Sequence, residues 1–211
     1  MDFSVYLFDF DYTLGNSDAG IFIAYRNVLQ RHGHPDVSDD AIRRTVGYPV
    51  EDSFTMLCGV TDAEALQEYR REFIKEGDTY MSVNTYLYPL ALPVIKELKS
   101  RGKKVGIVST KLHYRIVEIL DRYSATSLFD VIIGGEDVKT PKPDPQGVFL
   151  AAEKLGVKKK EILYTGDSMV DALTAKNAGV SFAAVLTGTT TEIDLKDLPK
   201  LLVITDLSGI L

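Results

Sequence analysis

The run Ser4-Val5-Tyr6-Leu7-Phe8-Asp9-Phe10-Asp11-Tyr12-Thr13 decides the reading of the fold. Its apolar residues follow one another instead of alternating with polar ones, the pattern of a strand covered on both faces in a parallel sheet. Further runs share this character: KVGIVS at 104–109, DVII at 130–133, EILYT at 161–165, FAAVL at 182–186 and LLVIT at 201–205. Between them lie segments of helical period. PLALPVIKELKSRG, residues 89–102, sets Leu90, Val94, Ile95 and Leu98 on one stripe and stops at Gly102. PQGVFLAAEKLG, residues 145–156, groups Val148, Phe149, Ala152 and Leu155 and stops at Gly156. Strand and helix alternating from residue 88 onward predict βαβ units and an open α/β sheet of parallel strands.

Outward from the first strand, residues 16–84 break this alternation. They are too many for a loop and their content is helical. Thr61-Asp62-Ala63-Glu64 reads as a capping box ahead of Leu66, Tyr69, Phe73 and Ile74, which follow helical spacing. Ser38 followed by Asp39 and Asp40 reads as another helix start, with acids at the positive end of the dipole. The division expected is a core made of 1–15 and 85–211, with 16–84 as an inserted helical module. The insert holds 12 acids against 7 bases, while the remainder holds 18 against 17, so nearly all the net negative charge lies in the insert.

The 211 residues, 45% hydrophobic and 26% charged, suffice for a core that needs no staple. One cysteine, Cys58, excludes an internal disulfide framework and a zinc finger. A formal charge of −6 gives no footprint for nucleic acid or an anionic membrane. No run approaches a transmembrane span, and the chain opens at Asp2 without a basic leader, so a cytoplasmic protein is expected.

In an open parallel sheet, ligands sit beyond the carboxyl ends of the strands. The first strand ends in Asp9 and Asp11, which the period of two places on one side if extension continues. Paired carboxylates divide labour between nucleophile and general acid/base, although a polar turn would also use them. Ser109-Thr110-Lys111 ends the second strand with hydroxyl and backbone donors suited to an anion, or to a plain N-cap. After the third strand, Thr140-Pro141-Lys142-Pro143-Asp144-Pro145 stiffens the backbone around one lysine. The fourth strand leads to Asp167 and Asp171, four apart at a helix start. Carboxylates, hydroxyls and a lysine on one sheet edge suit a hard cation with a phosphoryl group.

In this order, DFDYTL, IVSTK, TPKPDP and GDSMVDALTAKNAG resemble the motifs of the haloacid dehalogenase superfamily, in particular its phosphatases with a small helical cap, of the phosphoglycolate phosphatase and β-phosphoglucomutase kind. The likeness covers nearly the whole chain. It implies a Rossmann-like core, a cap over the site, and Mg²⁺-dependent hydrolysis of a small phosphorylated metabolite through a phosphoaspartyl intermediate, by a monomer or dimer. It further implies Asp9 as nucleophile and Asp11 as acid/base. Mg²⁺ would rest on Asp9, the Asp11 carbonyl and Asp167, with Asp171 as an additional or outer ligand. Ser109 and Lys142 would hold the phosphoryl oxygens, and backbone N–H groups near Tyr12 and Thr110 would complete the cradle.

The chain departs from the family pattern at Tyr12, where glycine is usual, at Asn16, commonly aspartate, and at Leu90, commonly glycine. Within the insert, Arg43 or Arg44 would pair with a carboxylate or second phosphate on the leaving group, beside Tyr48, unless both arginines are simply solvated. The acidity of the insert points to a small substrate of limited charge. A phosphosugar mutase uses the same core and stays open, as does a silent phosphate-binding protein. A receiver module is excluded by the long insert and a dehalogenase by Asp11.

Overall fold

The computed structural model describes residues 3–211; Asp2, with which the expected cytoplasmic opening begins, lies outside the described residues. In chain order the elements are β1 (Val5–Phe8), β2 (Gly15–Asn16), α1 (Asp18–Arg31), α2 (Asp39–Thr45), α3 (Val50–Cys58), α4 (Ala63–Tyr80), β3 (Tyr86–Leu87), α5 (Ala91–Ser100) and β4 (Lys104–Val108). They continue with α6 (His113–Arg122), β5 (Val131–Ile133), α7 (Gln146–Leu155), β6 (Ile162–Gly166), α8 (Met169–Ala178), β7 (Ser181–Val185) and β8 (Leu202–Ile204). Every apolar run read as a strand is one. They form a six-stranded sheet in the order β5-β4-β1-β6-β7-β8, with every pairing parallel. β1 lies between β4 and β6, and all its residues are buried, as its unbroken apolar run requires. The chain leaves β1 toward β4 and β5 on one side and returns to β6, β7 and β8 on the other. This reversal opens the crevice at the carboxyl end of β1.

Two helix faces differ from the sequence reading. Leu90 sits outside α5 and is exposed, and Ala91 takes the inward place beside Val94, Ile95 and Leu98. On α7 the buried side carries Gly147, Val148, Ala151 and Leu155, while Phe149 is exposed beneath the Lys159 ammonium, 4.1 Å from its ring centroid. The cause is close packing: a Cβ on Gly147 would lie 2.8 Å from Val108 Cγ1, so the helix approaches the sheet at a residue without a side chain and Phe149 turns outward. Gly102 and Gly156 both take left-handed φ at helix ends, as the stop signals predicted.

Helices α1–α4 enclose a hydrophobic cluster drawn wholly from residues 21–81, centred on Tyr25, Phe54 and Phe73. Ser38 caps α2, accepting the Ala41 N–H at 3.2 Å. For α4 the cap is Asp62, which accepts from Ala65 N at 2.9 Å, so the helix starts one residue later than a box on Thr61 would set it. The two crossings between this segment and the sheet pair as a short antiparallel ladder, β2 with β3. Among the described residues no helix is long and apolar enough to cross a membrane.

Candidate active site

The strand-end residues meet at the crevice. Asp9 prolongs β1 by one ladder bond, its N–H donating to Thr165 O at 2.9 Å, and its buried carboxylate lies 2.6 Å from Lys142 Nζ. The same Nζ lies 2.6 Å from Asp171 Oδ1 and 3.1 Å from the Tyr164 hydroxyl. Asp11 is held separately: Lys111 Nζ donates to its Oδ1 at 2.8 Å, and the Ser17 hydroxyl donates to it as well. The two aspartates thus answer to different lysines. Asp167 accepts from the Thr13 hydroxyl at 3.1 Å. Gly188, in the loop after β7, comes so close to Asp167 Oδ2 that a Cβ would collide with it. Ser109 is buried, with its N–H on Ile133 O and its hydroxyl accepting Lys111 N–H at 3.2 Å.

Asp9, Asp167 and Asp171 each offer a carboxylate oxygen, all within 4.8 Å of one another. Burial pushes the Asp9 carboxyl up to about 7 against the pull of Lys142, with Asp171 adding to the rise. Burial, then Asp171 and Asp9, hold Asp167 well above the usual carboxylate range. Burial would lower Lys142, but Asp171 and Asp9 together hold its pKa well above the ordinary lysine value. Three buried carboxylates therefore share one lysine, and the hard oxygen donors fit a divalent cation such as Mg²⁺. Asp171 differs from the other two. Its Oδ1 faces Lys142 and Tyr164, and its Oδ2 takes the Ser168 hydroxyl at 2.6 Å and N–H at 3.1 Å in a capping box at the start of α8. Both oxygens being engaged, Asp171 is placed to orient Lys142.

Tyr12 is buried with φ of +59°, an unusual conformation for a bulky residue. Such a φ costs on the order of 1–3 kcal/mol, so the surroundings must hold it. Its N–H donates to Gly15 O at 2.7 Å, its carbonyl accepts from the Thr187 hydroxyl, and its hydroxyl donates to Asp18 at 2.5 Å. The Tyr12 N–H is thereby committed within its own turn and is not among the donors left for an anion. Arg43 grips Asp18 through Nε at 3.1 Å and Nη2 at 2.8 Å, and Arg44 pairs with Asp40 on the exposed side of α2. The structure thus places neither arginine at the leaving-group position expected from the sequence: each is matched by a nearby acid.

Between the helices and the sheet edge lies a cavity of about 340 Å³, whose lining includes Asp11, Thr110, Lys111 and Tyr48. The adjacent Gly47 faces Ser168: a Cβ added there would lie 3.4 Å from Ser168 Oγ, so the 46–49 turn stands close to the end of β6. Sequence reading passed over Tyr164, Thr13, Ser17 and Gly188. Tyr164 reads as one more apolar residue of its strand, and Gly188 lies in a turn with no distinguishing neighbours. Lys111 stood in full view beside Ser109, and its lone positive charge at a strand end was the available signal.

Carboxylates, a lysine and hydroxyls converging at the switch point of a parallel α/β sheet define a hydrolase that handles phosphoryl groups. The chain belongs to the haloacid dehalogenase-like hydrolases, whose family model matches residues 6–185. It is 32% identical over 184 residues to the phosphoglycolate phosphatase of Aquifex aeolicus, covering 87% of this chain and 85% of that protein. It is 30% identical over 190 residues to the pyrophosphatase PpaX of Halalkalibacterium halodurans, covering 88% and 84%. A solved structure from Bacteroides fragilis, assigned to the haloacid dehalogenase-like hydrolases, superposes with a TM-score of 0.98 at 47% identity over the whole of both chains. The protein is accordingly a phosphatase of this family.

Proposed function

We propose that the protein is a Mg²⁺-dependent phosphatase that hydrolyses a small organic phosphate monoester, with Asp9 as nucleophile and Asp11 as general acid/base. The observation that carries this reading is the separation of the two aspartates: Lys142 attends Asp9, Lys111 attends Asp11, and only Asp11 lines the cavity. An Asp9 oxygen attacks phosphorus as the bond to the leaving oxygen breaks, and Asp11 delivers its proton to that oxygen. Asp11 then takes a proton from water, whose oxygen attacks the aspartyl phosphate; inorganic phosphate leaves, Asp9 returns to its carboxylate and Asp11 to its protonated form. Ser109 and the backbone at Thr110 receive the phosphoryl oxygens, and Lys142 spreads charge between them and Asp9. Mg²⁺, held by Asp9, Asp167 and the Asp11 carbonyl with Asp171 outside them, would neutralise charge so that an anionic phosphoryl group approaches an anionic nucleophile. In this reading residues 16–84 form a cap that excludes water from the attack.

The relative named a pyrophosphatase supports a second reading, pyrophosphate hydrolysis by the same groups. The test is phosphate release from p-nitrophenyl phosphate with Mg²⁺, with excess chelator, and with Asp9→Asn. Turnover that needs the metal and disappears in the variant is expected; turnover retained by Asp9→Asn would sink the mechanism.

A further inference from the structure

The cavity lies on one side of the chemistry. Its lining contains Asp11 but neither Asp9, Lys142 nor Asp167, so it extends from the acid/base outward, where a leaving group must sit. At about 340 Å³ it offers room for roughly eleven water-sized groups, more than glycolate or a phosphate ion fills. Much of its wall is apolar, supplied by Ile21, Tyr25, Val50, Phe73, Ile74 and Leu112.

Three of the four cations on this wall lie against a carboxylate, the Nε of Arg115 alone lacking a partner. Lys111 lies 2.8 Å from Asp11, Arg70 lies 3.3 Å from Glu51, and the buried Arg115 lies 2.7 Å from Asp78. The remaining lining cation, Lys139, is exposed to water at the rim. Arg43 is outside the lining and bound to Asp18. Inward of Lys139 at the rim, a second anion on the substrate would have to take a cation from its carboxylate and leave that acid unpaired, or be desolvated without a partner.

Resting on the phosphatase reading above, we propose that the leaving group is uncharged and largely apolar: the substrate is the phosphate monoester of a neutral alcohol larger than glycolate, and neither phosphoglycolate nor pyrophosphate is preferred. The acids Glu51 and Asp78 then act as specificity determinants, since each neutralises an arginine of the leaving-group wall.

The test is kcat/KM with Mg²⁺ for methyl, butyl and hexyl phosphate, whose leaving alcohols differ in size and little in chemistry, beside phosphoglycolate, pyrophosphate and p-nitrophenyl phosphate. Each methylene that enters the cavity is worth about threefold to fourfold. Butyl phosphate is therefore expected at least about tenfold above both methyl phosphate and phosphoglycolate. Glu51→Gln, which frees Arg70, is expected to raise phosphoglycolate relative to butyl phosphate by up to about fivefold. Phosphoglycolate or pyrophosphate matching butyl phosphate overturns the inference and leaves the phosphatase reading intact. An unchanged ratio in Glu51→Gln, with the parent's melting temperature retained, overturns charge neutralisation as the cause. No metal-dependent turnover of any ester, p-nitrophenyl phosphate included, overturns the phosphatase reading and this inference with it.

Discussion

The floor of the site and the helical cap above it treat charge in opposite ways. On the floor, Asp9, Asp167 and Asp171 crowd within 4.8 Å around a single lysine, and burial drives Asp9 and Asp167 toward their protonated forms. In the cap, arginines are matched to acids: Arg26 with Asp39, Arg31 with Glu72, Arg43 with Asp18, Arg44 with Asp40 and Arg70 with Glu51. A floor short of positive charge suits a divalent cation, which on the proposed reading would help to hold a phosphoryl group. Helices α1–α4 hold these five arginines in ion pairs and keep an excess of acids, so on the reading proposed above they would select by shape and apolar contact. On the proposed reading, the phosphate end of the substrate would be recognised by electrostatics and the far end by packing.

The sharpest way to break this contrast is to worsen the floor's imbalance. Lys142→Met leaves Asp9 and Asp171 without their shared cation in a buried site. Removing one partner of a buried pair costs about 3–5 kcal/mol, and the loss of catalysis should exceed roughly a thousandfold. Unfolding curves in chelator measure the first and phosphate release the second. Saturating Mg²⁺ should restore part of the stability and none of the lost phosphoryl contact. A variant as stable in chelator as the parent would show that the floor is not short of charge.

A gentler lever is pH. Asp9 titrates near 3.9 in an unfolded chain and at about 7 in the folded one. Its folded pKa is raised, so the stability it contributes is complete below about pH 4 and is lost as pH climbs through about 7. Asp167 moves in the same direction, and Lys142, raised rather than lowered, stays charged throughout. Stability in chelator is therefore expected to fall between about pH 4 and 7, with roughly 4 kcal/mol as the ceiling for Asp9. Mg²⁺ binds the deprotonated carboxylates, so melting temperatures with and without metal should diverge as pH rises. Asp9→Asn should flatten much of the slope in chelator. A metal-free protein that gains stability over the same range would contradict the assignment.

The same contrast explains what could be read from the sequence. The strands were legible because a parallel sheet buries both faces and leaves continuous apolar runs, and the floor was legible because its residues stand at the ends of those runs. Asp9, Ser109 and Asp167 each follow a strand directly, so topology alone brings them together, and Lys142 joins them from the proline-stiffened loop nine residues past β5. The cap offered no such rule. Nothing in the spacing of Asp18 and Arg43 announces that a pair 25 residues apart will close on Tyr12, because that contact depends on how α1 meets α2. The β2–β3 ladder is too short for a period to register, and the size of Phe149 does not mark the buried face of α7, which carries Gly147 and Ala151 beside Val148 and Leu155.

The smallest effects are expected where the sequence placed its cap contacts. Arg43 grips Asp18 with two nitrogens, but its side chain remains 39% exposed, so the pair is worth about 1 kcal/mol at most. Arg43→Met should cost no more than that, since Tyr12 still donates to Asp18 and the methionine stem keeps the apolar contact with Phe22, whose ring centroid lies 5.3 Å from the guanidinium. Arg44, more exposed and paired with Asp40 one helical turn away, should change stability by less than about 0.5 kcal/mol as Arg44→Ala. Steady-state kinetics decide between the two accounts of these arginines. If they only tie the cap together, KM for butyl phosphate and for phosphoglycolate should both stay within about twofold of the parent, a shift of under 0.5 kcal/mol. If either reads an anion on the leaving group, KM for phosphoglycolate alone should rise by about tenfold or more, the loss of a charge-assisted hydrogen bond.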